Sequence, residues 1–490
     1  MAGLERLPKS LPPEIWSQIL DCIPRFESRY LLNVCSQFHD NIIRQLFSSI
    51  KIYFIGGDKG KKMLNTFYED FTRETAEKLM RKSWEILNRI SRDRQFAKVV
   101  KNITVVAYAE GLGIFERLSV ANIFQYLPNL HTFRWVGCHP AFDDEIAEYL
   151  PFDLKTLDVQ STFPLDSLQH LTQLTTLRLP IPFLFPEDDE AMDRLVEDTS
   201  LIEHHSTISI QDIFENFPST LQCLRICASD INNVPIRIYS TLRELEIFGI
   251  VGDGQEFVGL DAMFRHAMLL ESLSVVGFID PIFFSFLPHW STNSLPRLTS
   301  FRLSVEVPSA IGEDEFCSLT GFLHGRKSLR RLYLRHPEMR FNQTSRLLSV
   351  IQELNEVEVL GVHMGADVFA GNAALAMVAN SLPSNLRALH LAINWGGDDL
   401  LLLMDQVSSL PKLSFLHLYG TVTRLPISVE EIATEGKGLD TIGLNRALWS
   451  IERSGPDQEL GTTKWPRWKI KFCIEDEFVN ADDYWLFKYN

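Results

Sequence analysis

The sequence predicts an α/β solenoid: short parallel strands stacked side by side, joined by helical crossovers, with a small all-helical unit in front. Three observations predict it. An apolar phrase of the form L-x-x-L-x-L returns about thirteen times between Val100 and Leu439, mostly in steps of 20–31 residues. Within its last four positions apolar and polar residues alternate, the period of a strand with one buried face. Between phrases the apolar spacing lengthens to three and four residues, the period of a helix. Strand then helix, repeated, gives parallel strands with crossovers, and no single unit can bury its own leucines without its neighbours.

Residues 7–50 do not carry the phrase. Pro12 and Pro13 stand where a helix begins, because a first turn makes no use of their missing N–H groups. Glu14 favours the positive end of the helix dipole. Ile15, Ile19, Leu20 and Ile23 follow at helical spacing. After Pro24 a second helix reads Leu31, Val34, Cys35, Phe38, Ile42 and Leu46. Two or three short amphipathic helices in about 40 residues bury too little area for a robust core, so the unit calls for a partner surface.

Leu11, Pro12, Glu14, Ile15, Ile19 and Leu20, followed by Leu31, Leu32, Val34, Cys35 and Phe38, resemble an F-box. The resemblance covers about 40 residues and gains weight from the repeats behind it, since F-box proteins often pair the box with leucine-rich repeats. Leu46, Phe47, Ile50, Ile52 and Phe54 are similar to the strand that leads into the repeats in fungal members. One departure is Phe38, where many members have Trp: a large aromatic is kept and the indole N–H is lost. The resemblance implies a substrate receptor of a Skp–cullin–F-box ubiquitin ligase, cytoplasmic or nuclear. The box would dock on a Skp-type adaptor, and through it on a cullin–RING ligase, while the repeats hold a protein substrate. The adaptor contacts it implies are Leu11, Pro12, Glu14, Ile15, Ile19 and Leu20, with Leu32, Val34 and Phe38. A non-catalytic leucine-rich scaffold independent of ubiquitination is the alternative.

Residues 51–98 connect the two parts. Gly56, Gly57, Lys59, Gly60, Lys61 and Lys62 invite a phosphate-loop reading, which fails on spacing and on Lys62 where Ser or Thr would hold magnesium. A basic loop followed by a helix around Trp84, Ile86, Leu87 and Ile90 is the better account, the helix capping the end of the stack. Residues 99–450 then form a leucine-rich-repeat solenoid, or horseshoe. Clear phrases start at Leu130, Leu154, Leu174, Leu221, Leu242 and Leu270, and further ones at Leu298, Leu329, Val357, Leu386 and Leu413. Phe316, Leu319, Phe322 and Leu323 fall on one helical face, as do Leu347, Leu348, Ile351 and Leu354. The step from Leu174 to Leu221 is 47 residues, either one missed repeat or an insertion. It holds an acidic stretch near 186–207 with eight Asp/Glu against Arg194 alone, which reads as an exposed loop.

The middle polar position of each phrase points to the inner face of the curve. In order these are Arg134, Asp158, Arg178, Arg225, Glu246, Ser274, Arg302, Tyr333, Gly361, His390, His417 and Gly443. Arginine forks suit carboxylate or phosphate groups. Arg134, Arg178, Arg225, Arg302 and Tyr333 are therefore candidates to hold an acidic or phosphorylated substrate, against the plainer expectation that Asp158 and Glu246 neutralise the arginines as surface ion pairs. Residues 451–490 are rich in aromatics, Trp465, Trp468, Phe472, Phe478, Tyr484, Trp485, Phe487 and Tyr489, interleaved with acids. They read as a cap over the last repeat.

Composition excludes other classes. Of 490 residues 45% are apolar, and the net charge is −16, of which the 380 residues beyond 110 carry −21 while residues 51–110 carry +5. A negative body disfavours nucleic acid. No apolar run is long enough for a membrane span, and the first residues lack the plan of a signal peptide. Seven cysteines without CxxC pairs read as small buried hydrophobes in a reducing compartment. No G-x-S-x-G, H-E-x-x-H or zinc spacing is present, so catalytic residues, metal and cofactor are all expected to be absent. His204–His205 has no third ligand placed by sequence, and His390 and His417 read as ordinary surface histidines.

Overall fold

The computed structural model describes residues 12–21, 23, 28–56, 73–109, 113–161, 165–180, 214, 220–251, 256–279, 283–284, 287, 294–305, 311–337, 339–363, 372–393, 400–420, 425, 427–454 and 459–488. Leu11, His204, His205, the acidic stretch 186–207 and most of the basic loop lie outside them.

The strands of the described residues form one sheet whose order follows the sequence from first to last. They are β1 (Ser49–Ile55), β2 (Asn102–Tyr108), β3 (Thr132–His139), β4 (Thr156–Val159), β5 (Thr176–Arg178), β6 (Cys223–Cys227), β7 (Glu244–Val251) and β8 (Ser272–Ile279). There follow β9 (Ser300–Val305), β10 (Arg331–Arg335), β11 (Val359–His363), β12 (Ala388–Ile393), β13 (Phe415–Gly420), β14 (Thr441–Leu444), β15 (Ala447–Ser454) and β16 (Glu459–Lys464). Each L-x-x-L-x-L phrase supplies one of β2–β14, and all of these pair in parallel. The chain is an α/β solenoid of leucine-rich repeats.

Local sequence explains the stacking. Leu157, Leu177, Leu224 and Leu245 stand opposite one another in adjacent strands and are buried. At about 25 cal/mol per Å² of apolar surface removed from water, each such leucine stabilises its unit only when the next unit covers it. Helix Glu313–Leu323 buries Phe316, Leu319, Phe322 and Leu323, and helix Phe341–Glu353 buries Leu347, Leu348 and Ile351, the two faces the spacing marks. The 47-residue step resolves as an insertion, because β5 pairs directly with β6 through Leu177 and Leu224.

The ends differ from the simple plan. Residue 50 is no boundary: β1 runs across it and joins the sheet ahead of the first repeat, parallel to β2. Helix α3 (Arg73–Arg92) crosses from β1 to β2 and covers the open edge of β1, where the Tyr53 N–H donates to Ser83 Oγ at 2.7 Å. At the far end β15 and β16 reverse direction and close the sheet with antiparallel pairing. The last described residues, with α4 (Arg467–Lys471) and α5 (Ala481–Phe487), then leave that end altogether.

At the N-terminus α1 (Pro13–Asp21) starts on Pro12, whose carbonyl accepts from the Ile15 and Trp16 N–H groups. Its last carbonyls find a side chain: Gln45 Nε2 donates to Leu20 O and Ile23 O, both at 3.2 Å. The second helix, α2 (Ser36–Ser48), begins five residues later than the apolar spacing predicts. Cys35 is extended (φ −161°, ψ 166°), so Leu31 and Val34 sit in the turn before α2. Among the described cysteines, Cys35 and Cys317 are exposed and only Cys227 is buried outright, which corrects the expectation for those two.

Candidate protein-interaction surfaces

Two surfaces have the chemistry to bind a protein. The first is the N-terminal helical pair. Its interior is Leu20 and Ile42, both buried, with Trp16 and Phe38 in edge-to-face contact at 5.0 Å. Ile15 (39% exposed), Ile19 (42%) and Val34 (59%) point outward, as do Tyr30 and Pro12. Leu32 and Phe38 are half-buried. The structure thus separates the residues that sequence spacing groups together. Leu20 holds the unit together and is unavailable to a partner, whereas Ile15, Ile19 and Val34 are available. Leu11 lies outside the described residues, as does the side chain of Glu14.

The second surface is the inner face of the sheet. The polar position of every phrase falls on one register: Arg134, Asp158, Arg178, Arg225, Glu246, Ser274, Arg302, Tyr333, Gly361, His390, His417 and Gly443 stand opposite one another in adjacent strands. Lys51 and Thr104 begin the same row.

This row is covered by the chain itself. Trp468 packs on Tyr53 of β1, Phe472 on Tyr108 of β2, and Lys51 Nζ donates to Phe472 O at 2.5 Å and to Glu477 Oε2 at 2.6 Å. One residue after Glu477, Phe478 packs on Phe415 of β13. In a flat sheet β1 and β13 would lie about 58 Å apart at roughly 4.8 Å per strand. Two consecutive residues, Glu477 and Phe478, bridge their inner faces, so the sheet is bent until they oppose each other across residues 465–488. Those residues cap no single repeat. They fill the concavity.

Burial changes what the arginines do. Arg225 (2% exposed), Arg302 (1%) and Tyr333 (1%) are inside, and Arg134 and Arg178 are half-buried. Arg225 Nη2 lies 2.6 Å from Asp158 Oδ1, and its Nε donates to Leu179 O at 2.9 Å. Arg178 reaches Glu244 at 3.1 Å, with Asp158 and Glu246 just beyond. Lys488 closes on Glu246 from the covering segment. Burial alone would raise both carboxyls. For Asp158, Arg225 outweighs it with help from Arg178 and Arg134, and for Glu246, Lys488 does with Arg178 and Arg225, so both are held below the usual carboxylate range. The expectation of surface ion pairs is corrected accordingly: these are buried pairs, whose attraction is strong and whose disruption is costly.

Toward β13 the row is aromatic. The Arg302 guanidinium lies between the rings of Tyr333 (4.2 Å) and Trp485 (4.6 Å) and donates to the Trp485 carbonyl. His390 and His417, expected at the surface, are buried with their Nδ1 atoms 2.9 Å apart. His417 Nε2 donates to the Asn445 carbonyl, so its Nδ1 accepts from His390. Burial pulls His417 down to about 4 and His390 well below 6.5, leaving both neutral at pH 7. Gly361 lets the cover approach: a Cβ there would lie 2.2 Å from the Tyr333 ring and 3.0 Å from Leu486. Gly361→Val is expected to lower stability by about 1–3 kcal/mol through overpacking, read as a lower thermal midpoint.

No family model matches the sequence, and no curated protein matches it. Solved structures with similar folds include that of the Rad7 and Elc1 complex in yeast, at 16% identity and TM-score 0.38, over 76% of this chain and 93% of that one. Another is the leucine-rich repeat-containing protein LegL7 from Legionella pneumophila, at 12% identity and TM-score 0.30, over 72% and 94%. The TLR13–ssRNA13 complex is similar at 15% identity and TM-score 0.29 over 73% of this chain, which spans only 53% of that one. The leucine-rich-repeat fold rests on the strand register above, not on these distant likenesses. No described helix is long and apolar enough to cross a membrane.

The sequence marks Phe472, Glu477, Phe478, Asp482 and Trp485 as a cap over the last repeat, whereas they cover the inner face together with Leu486 and Lys488, to which spacing gives no role. The one available signal was compositional: an acidic and aromatic stretch in the same chain as a row of inward arginines.

Proposed function

We propose that the chain is a non-catalytic substrate receptor of a Skp–cullin–F-box ubiquitin ligase, working in the cytoplasm or nucleus. Its N-terminal helical pair would dock on a Skp-type adaptor through Pro12, Ile15, Ile19 and Val34, with Leu32 and Phe38 at the edge and Leu20 holding the pair in shape. The repeats would hold a protein substrate beside the ubiquitin carrier. Such a receptor accelerates transfer by proximity alone, through effective concentration, and needs no chemistry of its own.

The observation that carries this reading is the outward display of Ile15, Ile19 and Val34 on a unit that has little core to spare. Apolar side chains of that size, exposed on a short helical pair, gain free energy from a partner's cover. Binding of the full chain to a purified Skp-type adaptor tests it, with Ile15→Asp/Ile19→Asp beside the wild type. Central apolar contacts are each worth about 2 kcal/mol or more, so the pair of substitutions is expected to weaken binding by at least about 100-fold. Both positions are exposed, so the solenoid's thermal midpoint should not move. A well-folded wild type that binds no adaptor would sink the ligase reading and leave a leucine-rich scaffold.

A further inference from the structure

The inner row from β7 to β13 keeps a composition that belongs at a surface. Glu246, Arg302, Tyr333, His390 and His417 lie along it, whereas the other face of the same strands is leucine, isoleucine, valine and phenylalanine. Burying such a row is unfavourable unless each group is matched. His390 and His417 match each other and Asn445, and one short stretch of this chain supplies partners for Glu246 and Arg302. Lys488 meets Glu246, Asp482 Oδ1 lies 2.6 Å from Arg331 Nη2, and Arg302 bonds the Trp485 carbonyl and stacks on its ring. Leu486, fully buried, packs with Tyr333, Val359 and Ala388. The match is also imperfect: Asp483 is buried with neither carboxylate oxygen in hydrogen-bonding geometry. Phe487 is buried beside Leu486, against His417 and Phe478. Charge-matched contacts around a small apolar centre have the anatomy of a recognition surface.

We infer that this part of the inner face is a binding site for a short helical segment of a partner protein bearing an acid, an aromatic, an apolar residue and a base spaced as Asp482, Trp485, Leu486 and Lys488 are. The chain's own residues 481–488 occupy it as a tethered competitor. The inference rests on the reading that the repeats hold a protein substrate, and it names the class of segment they take. A tethered competitor acts at roughly millimolar effective concentration, so one whose own affinity for the open site is about 10 μM weakens the apparent affinity of any competing segment about 100-fold.

The test uses the full chain and a fluorescent synthetic peptide of residues 478–488 as probe. Two variants release the cover by different means: Asp482→Lys/Lys488→Glu reverses both ion pairs, and Leu486→Asp spoils the apolar centre. Hydrogen exchange over 481–487 reports release, and exchange over β7–β13 reports whether the sheet stays folded. The expected result is fast exchange in 481–487 alone, with the probe bound about 100-fold more tightly than by wild type. Adding Arg331→Glu to the charge-reversed chain should abolish that binding. Three outcomes overturn the inference: release without gain in probe binding, loss of protection in β7–β13 together with the segment, or a segment that stays protected in both variants. No adaptor enters the assay. Probe binding by a chain that fails to bind adaptor therefore sinks the ligase reading alone, and the converse sinks this inference alone.

Discussion

Asp158→Ala is expected to destabilise the folded chain by about 3–5 kcal/mol, the loss that follows when one member of a buried ion pair is removed. Arg225 is the reason. Its guanidinium is buried in the middle of the inner row, 2.6 Å from Asp158 Oδ1 and tied by Nε to the Leu179 carbonyl. Truncation at 158 takes away the carboxylate but leaves the cation inside, with Arg178 nearby adding like charge. Asp158→Asn keeps an acceptor and should cost less. Asp158→Ala/Arg225→Met removes both charges and should recover most of the loss, because replacing a buried pair with apolar groups is often close to neutral. Urea unfolding followed by circular dichroism measures all three. A loss for Asp158→Ala below about 1 kcal/mol, the worth of an exposed pair, would mean that water reaches the row and that the cover is loose.

The second large effect is a pH dependence centred on Asp483. Burial pushes its carboxyl up to about 8, with Asp482 and Asp440 adding to the shift and Asn480 and Arg387 opposing it only in part. A folded value above the unfolded one, about 3.9, means that the folded state holds the proton more tightly. The group's contribution is therefore fully present below about 4 and is lost as pH rises through 8. Three other buried groups act outside the useful window. The neutral, buried His390 and His417 act as pH falls below 6.5, where their stabilising contribution is lost. Lys488, pulled down to about 8 chiefly by burial, acts above that value. Between pH 6.5 and 8 Asp483 governs, and wild-type stability is expected to fall by about 2 kcal/mol. Asp483→Asn should be flat across that window and more stable than wild type at pH 8. Equal slopes for the two chains would show that Asp483 is solvated in the folded protein.

The fold was legible because its signals are local. Each phrase carries its own period of two, each crossover its own helical face, and equal spacing leaves one way to stack them. Leu224, Leu245 and Leu273 could be placed opposite one another from spacing alone, since a slip of one residue would turn every leucine to water. The direct pairing of β5 with β6 was not legible, because a 47-residue step fits either a missing strand or an insertion. Nor was the division of labour in the N-terminal pair. Leu20 and Ile19 are adjacent in the same helix, and only their neighbours decide that Leu20 is buried and Ile19 exposed.

The sequence by itself determined the strand register and, with it, which side chains share the inner row. Periodicity fixes both, and periodicity is a property of neighbours in the chain. What lies over that row was decided only by tertiary structure. Residues 465–488 meet Lys51, Tyr108, Glu246, Arg302 and Phe415 across separations of up to 426 residues, and no local pattern encodes such pairings. Curvature brings the first and thirteenth strands face to face, and the space between them takes a segment with acids for Lys51 and Arg331, a lysine for Glu246 and rings for the gaps. Arginines that spacing assigns to solvent thereby become buried ion pairs. The physical reason is that charge energetics follow the dielectric around a group, which the fold sets and the sequence position does not.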